Sequence, residues 1–114
     1  MADSIEKETL DSLAEQMGGE EALGRIIAMY THKLPDEMSG LRDAFASGDL
    51  ESVQSLAHRL KSSSGQLGAN RLSVMLAGLE EVSREGDGEA AARILDQVVV
   101  EAEAARLELL ALSP

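Results

Sequence analysis

Apolar residues recur at intervals of three and four along nearly the whole chain, and no stretch of strict alternation is long enough to make a strand. An all-α fold follows. Only 2% of the 114 residues are aromatic, so the core has to be built from Leu, Ile, Val, Met and Ala. That composition favours helices over strands. A chain of 114 residues suffices for one core and is too short for two, so residues 1–114 are expected to form a single domain.

The periodicity resolves into five segments. A short first helix carries Leu10, Leu13 and Met17, with Thr9 as its expected cap and Gly18 and Gly19 as its stop. A second places Leu23, Ile26, Ile27, Tyr30 and Leu34 on one stripe that Met38, Leu41 and Phe45 resume. Pro35 falls inside it and removes an amide donor, which predicts a kink or a break. After a stop at Gly48 and a cap at Asp49, Leu50, Val53, Leu56, Ala57, Leu60 and Leu67 define a third helix that ends at Gly68. Asn70 is expected to cap a fourth, whose stripe is Leu72, Met75, Leu76, Leu79 and Val82. Beyond the turn at Gly86, Asp87 and Gly88, a last helix from about Glu89 to Leu112 turns Ile94, Leu95, Val98, Val99, Ala102, Ala105 and Leu109 inward. Four long segments joined by short turns pack most simply as an antiparallel up-and-down four-helix bundle, with the short N-terminal helix capping one end. Met1 to Glu6 is expected to fray, and Ser113 and Pro114 to form a tail.

Charge and composition exclude several function classes. A net charge of -11 repels nucleic-acid phosphates and anionic lipid over most of the molecule. With no Cys, neither disulfides nor thiolate metal sites can hold the fold, which suits a reducing cytoplasm. No apolar run reaches the length of a membrane span, and the first residues lack the basic and apolar regions of a signal peptide. The chain reads as soluble and cytoplasmic.

The chain has two histidines, each of which can be placed on its helix at about 100° per residue. The core stripe of the third helix centres on Val53, Ala57, Leu60 and Ser64, which puts His58 about 140° away, on the water side. Its flank also holds Gln54, Lys61, Ser62 and Gly65, a cation and small residues beside a reactive nitrogen. His32 lies opposite its own stripe with no such setting, since Lys33 is adjacent in sequence and so points elsewhere. Periodicity by itself favours reading His58 as a solvated surface residue over a reactive one. Met29, Met38 and Met75 sit on or near apolar stripes and read as core fillers.

The string from Ala57 to Ala69 adds a motif: His58, then Leu60-Lys61, a run of small residues from Ser62 to Gly65, and Gly68-Ala69. It closely resembles the signature of histidine-containing phosphotransfer domains. Gly18-Gly19, the turn from Ala46 to Asp49 and the stretch from Leu79 to Asp87 also look like that family, so the resemblance runs from about Leu10 to Leu107. It implies that His58 accepts a phosphoryl group and that Lys61 offsets charge on the transferring oxygens. Glu80, where the family places Gln or Glu, would accept a hydrogen bond from the imidazole and leave Nε2 as nucleophile. Arg84, one turn on, would pair with Glu80 or meet the phosphate; a plain surface salt bridge is an equal alternative. Gln54, Ser62, Gly65 and Gly68 would form the flank a partner approaches, and Ser62 departs from the Gly that many relatives carry after the lysine.

By the same resemblance the partners are receiver domains of a hybrid sensor kinase or a response regulator, which supply the Mg²⁺ and the aspartate. The chain itself is expected to be a monomer with no cofactor of its own, a covalent phosphocarrier and not an enzyme. A sensor-kinase phosphoacceptor domain fits less well, since Arg59 follows His58 and no Pro lies between it and Pro114. A di-iron bundle needs Glu three residues before each His, where Met29 and Ser55 stand. A bundle that binds receivers without transferring anything is the remaining alternative.

Overall fold

The computed structural model describes residues 3–114, which form five helices: α1 (Lys7–Met17), α2 (Glu20–Ala46), α3 (Leu50–Gln66), α4 (Asn70–Arg84) and α5 (Gly88–Leu112). There is no strand among the described residues. α2 packs on α3, α3 on α4, α4 on α5, and α5 returns to α2, while α1 lies against α2. Three-residue turns between neighbours in this ring make the bundle antiparallel. Its long axis, 42 Å, is about the length of the 27-residue α2 at 1.5 Å per residue.

The predicted stripes supply the core. Ile27, Leu41, Val53, Ala57, Leu72, Leu76, Leu79, Val98 and Leu109 are fully enclosed. Truncating such a leucine to alanine typically costs about 2–5 kcal/mol, so these few side chains carry much of the stability. No helix is long and apolar enough to cross a membrane among the described residues.

Helix ends follow local chemistry in part. The Asp49 carboxylate accepts from the Ser52 amide and that of Asp87 from the Ala90 amide, each at 3.0 Å, satisfying donors that a helix start leaves open. Three local expectations fail. Thr9 does not cap α1, which begins two residues earlier; its hydroxyl instead donates to the Glu6 carboxylate at 2.7 Å. Asn70 does not cap α4 but is its first residue, and its amide reaches Glu6 at 3.0 Å. Asp3 to Glu6 do not fray: Ser4 and Ile5 are buried, the Ile5 amide donates to Glu108, and the Glu6 amide donates to the Gly68 carbonyl. One tertiary event explains the last two, the docking of this segment over the α3–α4 turn. Met1 and Ala2, the rest of the expected frayed end, lie outside the described residues.

Pro35 does not break α2, which is continuous from Glu20 to Ala46. The residue stands on the exposed face. Leu34 and Met38, buried on either side of it, hold the segment in the core.

Candidate functional site

Ala57 and Leu60 anchor α3 in the core, and their spacing leaves His58 between them on the outer face. Its side chain is 64% exposed. From α4, Glu80 reaches across with a carboxylate that is only 9% exposed, and its Oε2 lies 2.9 Å from His58 Nδ1. Lys61, one turn beyond His58, donates to Oε1 at 2.8 Å, and Arg84 donates to Oε2 at 3.3 Å while also pairing with Glu81. A buried carboxylate is costly unless paired, and here three donors converge on it from two helices.

The Lys61 ammonium, above all, holds the Glu80 carboxyl below the usual glutamate range; burial opposes this, and the hydrogen bond with His58 adds to it. An ionised carboxylate can only accept, so Nδ1 of the neutral ring carries the proton and Nε2 keeps its lone pair. Glu80 therefore orients the imidazole and would offset positive charge developing on it.

The four residues expected at the chemistry, His58, Lys61, Glu80 and Arg84, come together in one cluster. Two details differ from a free surface lysine and a simple salt bridge. Lys61 is 32% exposed and reaches His58 only through the shared carboxylate. Arg84 does both things open to it, bridging within α4 and joining the site.

The expected partner flank is only partly a surface. Gln54 is half-buried and Ser62 exposed, one turn either side of His58. Gly65 is turned towards α4, where a Cβ would stand 3.4 Å from Ser73 Oγ. Gly68 is buried, and a Cβ on it would lie 2.6 Å from the Glu6 carbonyl oxygen. With φ at +79° and no room for a side chain, Gly68 serves the turn under the N-terminal segment, not a partner. Met29, expected in the core, is 61% exposed. It lines a groove of about 410 Å³ between α1, α2 and α3 that includes Arg59 but neither His58 nor Glu80. His32 is exposed and joins no ion pair among the described residues.

Sequence reasoning missed Ser73, whose hydroxyl donates to the Lys61 carbonyl at 3.0 Å. Its one signal in the sequence is the seven-residue spacing to Glu80, which puts both on one side of α4.

The family model of the Hpt domain matches residues 25–111. The chain belongs to the Hpt domain family. The structure also superposes on the crystal structure of histidine-containing phosphotransfer protein B (HptB) from Pseudomonas aeruginosa PAO1 with a TM-score of 0.88 and 25% identity, over 96% of this chain and 93% of that one. No curated protein sequence matches the chain. The Hpt match spans α3 and α4 in full, so the motif read around His58 and the helix that supplies Glu80 both lie within it. Histidine phosphotransfer in a phosphorelay is thus the function class of this domain, and such Hpt proteins are carriers, not kinases.

Proposed function

We propose that this Hpt domain takes a phosphoryl group on His58 Nε2 from the aspartate of one receiver domain and passes it to the aspartate of another. The observation that carries the reading is an exposed imidazole whose Nδ1 is bound at 2.9 Å to the buried carboxylate of Glu80. In the forward step the Nε2 lone pair attacks phosphorus and forms the N–P bond, while the P–O bond of the aspartyl phosphate breaks and the carboxylate leaves with its electron pair. The ring becomes cationic with its proton still on Nδ1, and Glu80 offsets that charge. Lys61 and Arg84 balance Glu80 at rest and would share the charge of the incoming phosphoryl oxygens. Gln54 and Ser62 are the polar contacts at the rim, with Gly65 behind them facing α4. The receiver brings the Mg²⁺; the Hpt domain works as a monomer, in the cytoplasm, and without a cofactor.

Label transfer from a phosphorylated receiver tests this. The wild type and His32→Ala should be labelled and His58→Gln should not, and the label should be lost in acid and retained in base, as for a phosphoramidate. Undiminished labelling of His58→Gln, or an acid-stable product, would overturn the assignment.

A further inference from the structure

Ser73 and Glu80 stand on the same side of α4, about 10 Å apart along its axis. A serine inside a helix usually returns its hydroxyl to a carbonyl of its own preceding turn. Ser73 instead reaches across to α3 and donates to the Lys61 carbonyl at 3.0 Å, while its own amide binds the Ala69 carbonyl at 2.9 Å. Residue 65 faces this contact: a Cβ there would lie 3.4 Å from the Ser73 oxygen and 4.0 Å from its Cβ, in ordinary van der Waals contact with it. Lys61 is thereby tied to α4 at both ends, by its carbonyl to Ser73 and by its ammonium to Glu80.

We propose that Ser73 is a positioning residue for phosphotransfer: its bond to the Lys61 carbonyl sets the register of α4 against α3 and so keeps Glu80 on His58 Nδ1. Among the described residues, the other hydrogen bonds that cross this seam are those of His58 and Lys61 to Glu80 itself. α3 and α4 also bury apolar side chains such as Ala57, Leu60, Leu76 and Leu79, and apolar burial is non-directional, so it resists separation better than sliding. A slide by one residue rise, about 1.5 Å, would take a hydrogen bond out of range, since such bonds weaken steeply off their geometry. The inference rests on His58 as the phosphoryl acceptor.

The experiment compares Ser73→Ala and Ser73→Thr with the wild type in the full chain, by two independent readouts. The first is the tautomer balance of the His58 ring from its ¹⁵N shifts, with no partner present. The wild type should show predominantly Nδ1–H, Ser73→Ala should move towards Nε2–H, and Ser73→Thr, which keeps the hydroxyl, should return to the wild-type balance. The second is single-turnover transfer from a phosphorylated receiver. At saturating receiver Ser73→Ala should be slower on the order of tenfold, with the half-saturating concentration unchanged, as expected for misplaced reacting groups. A Ser73→Ala protein that melts earlier but keeps the tautomer balance overturns the proposal, whatever its transfer rate. So does a Ser73→Thr protein no better than Ser73→Ala. A wild type that shows the tautomer preference but takes no label overturns the acceptor reading and leaves the tie standing.

Discussion

Two glutamates are buried in this bundle to nearly the same extent, Glu80 on α4 at 7% exposure and Glu101 on α5 at 6%. Each meets a cation from a neighbouring helix: Lys61 of α3 for the first, Arg71 of α4 for the second. Their surroundings diverge from there. Glu80 has both oxygens occupied, at 2.8 to 3.3 Å, and one of its partners is an exposed imidazole. Glu101 has a longer contact to Arg71, at 3.4 Å, and an Oε2 with no partner among the described residues. No histidine takes part in that pair. Burial and charge pairing therefore mark both seams, and what separates them is the exposed imidazole that the Glu80 carboxylate holds.

The comparison can be broken most directly at Glu80. Removing its carboxylate with Glu80→Ala leaves the ring unoriented and two cations without their shared partner, so transfer to His58 should fall on the order of a hundredfold. Rapid-quench labelling measures this, and a rate within a few-fold of wild type would remove Glu80 from the mechanism. The matching change at the other seam, Arg71→Ala, should leave transfer intact and instead destabilise the fold by about 2 kcal/mol in urea unfolding, because a buried carboxylate loses its cation. Equal stability to wild type would mean that water already solvates Glu101.

A smaller effect sharpens the role of Lys61. As a half-buried side chain on a buried carboxylate it should cost about 1 kcal/mol when changed to alanine, more than an exposed lysine would, and transfer should slow as well. A stability loss without a slower rate would make Lys61 a support for Glu80 alone. The smallest effect is the pH dependence. Because the folded protein holds the Glu80 carboxyl below its ordinary value of 4.5, its ionised form contributes stability that is fully present above that value and is lost as pH falls through the depressed one. Melting curves of the wild type and Glu80→Gln between about pH 7 and pH 3 should converge at the acid end. Parallel curves across that range would contradict the depressed value.

Much of the molecule was legible in the chain. The stripes of α2 to α5 depend on residue spacing alone, and the spacing put Val53, Ala57, Leu60 and Ser64 inside and His58 outside, as observed. Asp49 could be named as a cap because an N-cap bond joins residues three apart in sequence. Asn70 and Gly68 were misjudged for the opposite reason: both meet Glu6, more than sixty residues away in sequence. Met29 borders a groove that α2 shares with α1 and α3, and Thr9 bonds Glu6, the residue that stands before α1 in its place.

The sequence by itself determined five helices, their core faces, a family motif that singled out His58, Lys61 and Glu80, and a helical spacing that put Arg84 beside Glu80, since periodicity and local motifs are properties of neighbours along the chain. The tertiary structure decided that Nδ1 meets Glu80, that Lys61 acts through the same carboxylate, and that Ser73 ties α4 to α3 beside them. These are contacts between helices, fixed by how far one slides and turns against the other, and helical spacing specifies the face but not the register.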